Sequence, residues 1–205
     1  MDHDARAALF DGTAEHYDED TFHVSVAEAL VEPLPPEPEL VLDVATGTGF
    51  AAYAALRLKP ARVLAVDLSP AMLARATAKA PTLDPSGVIS WQVAPAVPMP
   101  AADGSADVVL CASSLHFLGA VAFEDWLRVL RPGGRLAFSV VSGARFKPSG
   151  AFADFVPRDL SFPTDDAGAA ALATSAGFVD ASARTFTVEG GDRVRSVFLV
   201  HATAP

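Results

Sequence analysis

Two acids and two glycines, all at the ends of apolar runs, are the residues of this 205-residue chain best placed to do chemistry. In VLDVATGTGF (residues 41–50) a run carrying Asp43 leads into Gly47 and Gly49, and an alanine-rich segment follows. Glycines there permit positive φ and let a ligand approach the backbone, while a helix starting near Phe50 offers unpaired N–H groups. The same pair also suits a tight strand-to-helix turn with no ligand involved. A second run, VLAVD (63–67), ends in Asp67, twenty residues beyond Gly47, where a carboxylate accepts two hydrogen bonds from a ribose diol. Asp67 could instead cap the next helix, but Ser69 ahead of Pro70 is itself a good cap and leaves Asp67 free. The chemistry implied is recognition of a ribose-bearing cofactor.

These residues need a scaffold that holds strand ends side by side. Apolar strand candidates at 40–44, 63–66, 88–93, 108–111 and 136–141 alternate with helical candidates at 50–58, 70–80 and 121–130. Alternation of that kind means parallel strands joined by right-handed crossovers, hence a doubly wound α/β sheet. Ligands of such sheets bind beyond the carboxyl ends of the strands, near the point where strand order reverses, and Gly47 and Gly49 sit at such an end. The last quarter changes rhythm. A helix at 166–176 stops at Gly177, and strands at 184–188 and 194–202 flank EGGD (189–192), which reads as a hairpin turn. The sheet is therefore predicted to end in an antiparallel pair. Upstream, EPLPPEPE (32–39) ends a helical segment at 21–31 and stiffens the approach to the first strand. The predicted organisation is a helical lid segment and Pro-rich connector over 1–38, then one cofactor-binding domain over 39–205, with 142–165 as its substrate-side loop.

Composition narrows the field. With 51% hydrophobic and 20% charged residues, the chain fills one core and is short for two domains. A formal charge of -10 argues against unaided binding to a phosphate backbone, so no nucleic-acid partner is expected. Cys111 is the only cysteine, which rules out an internal disulfide and leaves a Cys-based zinc site without ligands; no metal is expected. The opening MDHDARAALFDG has acids where a secretory signal needs a basic start and an apolar core, and no apolar run reaches the roughly 18–20 residues of a membrane span. A cytoplasmic protein is expected.

Two cofactor classes fit the strand-end residues. GTGFAA (47–52) matches the relaxed dinucleotide pattern G-x-G-x-x-A, which makes an NAD-dependent oxidoreductase one reading. Asp43, where a dinucleotide site is usually apolar, and the lack of a second domain to hold a hydride acceptor weigh against it. The motifs taken in order say more. DVATGTG from Asp43, AVDLSPAML from Ala65, DGSADVV from Asp103, the pair Leu115 and His116, and LRVLRPGGRL from Leu127 resemble the ordered motifs of class I S-adenosylmethionine-dependent methyltransferases. Within that family the likeness is to the small-molecule branch that includes the ubiquinone and menaquinone methyltransferases. The resemblance covers residues 40–141. It implies a Rossmann-like, seven-stranded, mostly parallel sheet with an antiparallel last strand, S-adenosylmethionine as cofactor, and methyl transfer to a small molecule by in-line displacement. A catalytically silent cofactor-binding subunit is the non-enzymatic alternative.

Residue by residue, the resemblance implies that Asp43 holds the methionine end of the cofactor and that Ala45, Thr46, Gly47, Thr48 and Gly49 line its methionine and ribose. Asp67 would bind the ribose hydroxyls, with Leu68 and Met72 beside the adenine, although helical spacing with Leu73 and Ala76 also suits Met72 to the core. Cys111 and Ala112 would face the methionine group, and no basic neighbour is evident to activate the thiol. After the third strand the family commonly carries an acid that accepts from the adenine amino group, where WQVAPA (91–96) has Pro95. Adenine recognition would then rest on the Ala96 N–H, apolar packing and Gln92, at a cost in affinity on the order of 1 kcal/mol.

The acceptor side is less specific. AEHYD (14–18) resembles the segment that in this family folds over the cofactor, with Tyr17 placed to shield the sulfonium face. His116 is the best base candidate, since it follows the fourth strand and imidazole titrates near neutral pH; packing beside Phe117 is its alternative use. Phe146, Phe152, Phe155 and Phe162 favour an apolar or aromatic acceptor, with Arg145 and Arg158 available to an acidic group on it. The four rings suit a satellite core cluster equally well. LRVLRPGGR (127–135) reads as structural.

Overall fold

The computed structural model describes residues 3–190 and 193–205, with side chains for all of these except 190 and 193. Its seven strands are β1 (Leu40–Val44), β2 (Arg62–Asp67), β3 (Ile89–Val93), β4 (Ala106–Cys111), β5 (Leu130–Val141), β6 (Val179–Gly190) and β7 (Arg193–Thr203). They form one sheet in the order β3-β2-β1-β4-β5-β7-β6. Neighbours from β3 to β5 pair parallel, while β7 runs antiparallel to both β5 and β6. This is the doubly wound, mostly parallel sheet with a reversed last strand that the sequence predicts.

The helices are α1 (His3–Asp11), α2 (Thr21–Val31), α3 (Phe50–Ala55), α4 (Pro70–Leu83), α5 (Leu115–Leu118), α6 (Val121–Val129), α7 (Ala151–Asp154) and α8 (Asp166–Ser175). They bury both faces of the sheet, which is why its central strands read as almost unbroken apolar runs. In β1, Val41 and Leu42 are both fully buried yet point to opposite faces. Val41 joins Val26 and Leu30 of α2 and Ala52 and Ala55 of α3; Leu42 joins Phe123 and Trp126 of α6 and Ala169 and Ala173 of α8. Because α2 lies inside the first of these clusters, the segment before residue 39 contributes to the same core as the sheet.

Several element ends differ from their predicted positions. The helix expected over 50–58 is α-helical only to Ala55 and then tightens into a 3₁₀ turn, Leu56–Leu58, closed by Lys59 at φ 57°. β5 begins at Leu130 rather than 136 because Leu130 pairs with Ala106, and residues 131–134 then bulge before pairing resumes at Arg135 with Val108. The glycine turn expected there survives inside that bulge, with Gly133 at φ 77°. β6 starts at Val179, five residues before its predicted start at 184, since it pairs with β7 nearly end to end. The predicted turn at 189–192 lies partly outside the described residues. No helix among the described residues is long and apolar enough to cross a membrane.

Candidate active site

The strand order reverses between β1 and β4, so a crevice opens beyond their carboxyl ends. The chain leaves both strands through conformations that side-chain-bearing residues seldom adopt. Ala45, directly after β1, has φ 53°, and Ser113, shortly after β4, has φ 62°. Gly47 continues the first turn at φ 57° and Gly49 at φ 89°, where α3 begins.

Two adjoining cavities occupy this crevice. The larger, about 290 Å³, has Ala45, Gly47, Asp67 and Leu68 on the strand side and Met72, Pro95, Ala96 and Val97 at one end. His3, Arg6 and Phe10 of α1 and Tyr17 cover it, and Ser114, Phe117, Leu118 and Val121 form the remaining wall. The smaller, about 20 Å³, is lined by Tyr17, His23, Asp43, Ala45, Thr46, Phe50, Ala51, Ala112 and Ser113. Tyr17 and Ala45 line both, so the two are compartments of one crevice.

Asp67 closes the loop after β1 as well as bordering the larger cavity. Its Oδ2 accepts from the Gly47 N–H at 2.7 Å and its Oδ1 from the Ser69 N–H at 2.8 Å. The expectation that Asp67 stays free therefore needs correction, although Ser69 does cap α4, its Oγ accepting from the Met72 N–H at 3.0 Å. Each carboxylate oxygen keeps a second lone pair for a ligand hydroxyl. Burial raises the Asp67 pKa against the pull of those two amides.

Asp43 sits at the core of the smaller cavity and is 1% exposed. The Thr46 hydroxyl donates a short hydrogen bond to its Oδ2, while Oδ1 is buried with no partner. Burial drives its pKa up to about 7, the Thr46 hydroxyl and the Ala52 amide pull it down, and the charge on Asp67 pushes it up again. A carboxyl so placed is poised to release its proton to solvent when a cation arrives beside it.

Tyr17 roofs both compartments, its ring stacked on His23 at 5.3 Å and near Phe50 at 6.3 Å. Ion pairs hold the residues that follow it: Asp18 with Lys79 of α4 at 3.1 Å, and Asp20 with Arg195 of β7. The Arg195 guanidinium lowers the Asp20 pKa to about 2. Burial, then the charges of Asp67, Asp20 and Asp18, raise the Tyr17 pKa.

Four sequence-derived candidates line neither cavity. Thr48 is fully buried, its hydroxyl without a partner. Gly49 is pressed against Trp91, where an added Cβ would lie 2.6 Å from Cη2. Cys111 belongs to the core, and burial raises its thiol pKa, so the atoms reaching the crevice at the end of β4 come from Ala112 and Ser113. His116 of α5 is 8% exposed and packs against Phe117 (4.2 Å) and Phe146 (5.1 Å). Burial and the neighbouring His23 pull its pKa down to about 4.

Other residues of the crevice carried weaker signals. Ser113 and Ser114 follow β4 at a strand end, and the strand-end rule alone would have flagged them. His23 lies on α2, and Arg6 and Phe10 on α1, far from the motifs in sequence; only the folded chain brings them over the site.

The residues present fit a sulfonium nucleoside carrying an amino-acid head. Leu68, Met72, Pro95 and Ala96 give a slot with apolar walls, and Asp67 faces the space beside it. Asp43 Oδ1 is a buried acceptor that an ammonium would satisfy.

Comparison with known proteins agrees. The methyltransferase domain family matches residues 42–138. A ubiquinone/menaquinone biosynthesis C-methyltransferase of Geobacter sulfurreducens is 32% identical over 173 residues, 72% of this chain and 67% of that protein. The chain belongs to the class I S-adenosylmethionine-dependent methyltransferases. A malonyl-[acyl-carrier protein] O-methyltransferase of Halorhodospira halophila is 36% identical over 137 residues, 63% of this chain and 45% of that protein. The chain thus spans about half the length of that relative and of a second malonyl-[acyl-carrier protein] O-methyltransferase, of Methylococcus capsulatus, 33% identical over 146 residues, 68% of this chain and 50% of that protein. In fold it is similar to the 1,6-didemethyltoxoflavin-N1-methyltransferase of Burkholderia thailandensis, solved with 1,6-didemethyltoxoflavin and S-adenosylhomocysteine bound, at TM-score 0.71 and 20% identity over 100% of this chain and 90% of that one. Membership of this family sets aside the dinucleotide reading of GTGFAA, whose glycines here shape the turn between β1 and α3.

Proposed function

We propose that this methyltransferase-family chain transfers the methyl group of S-adenosylmethionine to a small, apolar or aromatic acceptor. The observation that carries the reading is the pair of buried acids, Asp43 and Asp67, bordering two compartments of one crevice at the tips of adjacent strands. When bound, S-adenosylmethionine supplies a methyl group on a sulfonium centre. Asp43 pairs with the ammonium of the head group, Asp67 accepts from the ribose hydroxyls, and Leu68, Met72 and Ala96 hold the adenine by packing. Tyr17 excludes water from above and presents an aromatic face to the cation. Displacement at a sulfonium is governed by distance and alignment, so positioning supplies most of the acceleration.

On the acceptor side, Phe10 and Phe117 meet edge to face at 5.5 Å and give that end of the crevice an aromatic wall, with Phe152 packed against both at 5.8 and 6.0 Å. The rings of the 142–165 loop line neither cavity and serve as packing, Phe146 against His116 and Phe162, and Phe152 behind Phe10 and Phe117. His116 is neutral near pH 7, but it lines neither cavity and its low pKa suits it only to an acceptor as acidic as a carboxylic acid. The net charge of -10 disfavours nucleic acid as acceptor.

Formation of S-adenosylhomocysteine over a panel of phenols, quinols and carboxylic acids tests the proposal. Turnover that depends on an apolar acceptor is the expected result. Tight cofactor binding without turnover over the whole panel would instead favour a cofactor-binding subunit that does not catalyse.

A further inference from the structure

The small cavity beside Asp43 gathers polar atoms that the protein itself does not satisfy. Asp43 Oδ1, Ser113 Oγ and His23 Nδ1 are buried without hydrogen-bond partners, and all three residues line the same space. Leaving such atoms unsatisfied costs about 1–3 kcal/mol each, so their convergence calls for a ligand that pairs with them. Ser113 adds strain. Its φ of 62° is held by its N–H, which donates to Ser139 Oγ at 2.7 Å, and strained residues persist where function over-determines them.

Charge sorts the partners. Asp43 is the one carboxylate lining this cavity and serves an ammonium. The carboxylate of an α-amino acid is repelled by Asp43 and needs donors of its own. Thr46 already gives its hydroxyl to Asp43, Ser113 has a hydroxyl to offer, and His23 is the one lining side chain that can become a cation at moderate pH. We infer that His23 and Ser113 receive the carboxylate of the cofactor's amino-acid head, opposite the ammonium on Asp43.

The assignment rests on the S-adenosylmethionine reading above and adds a residue outside the 40–141 motifs. His23 comes from α2 and is oriented by its stacking on Tyr17, with Asp20 Oδ2 3.6 Å from its Nε2. Burial and Arg195 lower its pKa while Asp20 raises it; Asp43 lies across the cavity, and His116 is close enough for the two imidazoles to disfavour each other's charge. A ligand carboxylate at Nδ1 would add a second anion beside Asp20, so His23 takes up a proton as the ligand binds. The compartment as it stands is about the size of one water molecule and shares Tyr17 and Ala45 with the larger cavity, from which the head group reaches it.

Calorimetry on the full chain with three ligands tests this: S-adenosylhomocysteine, its decarboxylated analogue and its deaminated analogue. Wild type should prefer S-adenosylhomocysteine over the decarboxylated analogue by about tenfold or more, as for a charge-assisted bond. In His23→Ala that preference should fall toward unity while affinity for the decarboxylated analogue stays within about twofold. Ser113→Gly, which removes the hydroxyl and eases the positive φ, should lower the preference by about threefold or more and carries the test alone if His23→Ala does not fold. A preference unchanged in the folded variants overturns the assignment. So does a loss of discrimination confined to the deaminated analogue, which would place His23 on the ammonium. Failure of wild type to bind any of the three contradicts the cofactor reading instead.

Discussion

Asp43 is the residue on which binding and stability pull in opposite directions. Its folded-state pKa of about 7 is raised above an unfolded value near 3.9, so the stability it contributes is full below that value and is lost as pH rises through about 7. An ammonium needs the ionised form. We therefore expect affinity for S-adenosylhomocysteine to fall by roughly tenfold per pH unit below pH 7, and to fall again only at alkaline pH, where the ligand amine loses its proton. Asp43→Asn keeps an acceptor for Thr46 and removes the charge. The variant should bind at least about tenfold more weakly at pH 7.5, lose the acid limb of the profile, and be more stable than wild type at pH 8. A variant that retains both the affinity and its acid limb would remove Asp43 from the site. At this scale the sequence showed the two acids, because a carboxylate ending a central strand has few structural uses. It could not show that Asp67 spends one lone pair of each oxygen on the Gly47 and Ser69 amides, since that depends on how the loop folds back. His23 was hidden by its distance along the chain, whereas Ser113 carried only the weak signal of following a strand end.

The strand, turn and helix from β1 to α3 form the element that places Asp43 and Gly47, and Gly49 is its pivot. A side chain there faces two obstacles, a left-handed φ of 89° and Trp91 of β3, whose Cη2 and Cζ3 would lie 2.6 and 2.9 Å from a Cβ. Gly49→Ala should lower stability by about 2 kcal/mol or more, a fall in melting temperature of several degrees. A melting temperature equal to wild type would show that the turn does not need glycine. The alternation of strands and helices was legible because buried parallel strands and amphipathic helices have different periods. Less legible were α1, whose nine residues carry no clear apolar stripe, and the early start of β5, which depends on Leu130 finding Ala106 across a bulge. The segment 127–135 carries the end of α6 into β5. Arg128 holds the 99–103 loop by donating to Met99 O, Ala101 O and Asp103 and by pairing with Asp125.

At the scale of the molecule, the sheet brings residues 43, 67 and 113 to one crevice, and the N-terminal segment folds back to roof it. The roof is fastened to distant parts of the chain just after Tyr17, by Lys79 of α4 through Asp18 and by Arg195 of β7 through Asp20. Two partners also tie α1 to α4: Asp11 accepts from the Ser69 hydroxyl and from the Ala71 N–H at 3.1 Å. A cofactor enclosed this way should bind one to a chain, and the site should reject a dinucleotide. Calorimetric titration of the full chain with S-adenosylhomocysteine and with NAD, alongside Asp67→Ala, measures that claim most directly. We expect one S-adenosylhomocysteine per chain, no measurable heat with NAD, and a loss of about tenfold or more in a folded Asp67→Ala. Tighter binding of NAD, or an affinity for S-adenosylhomocysteine that Asp67→Ala leaves unchanged, would contradict the account.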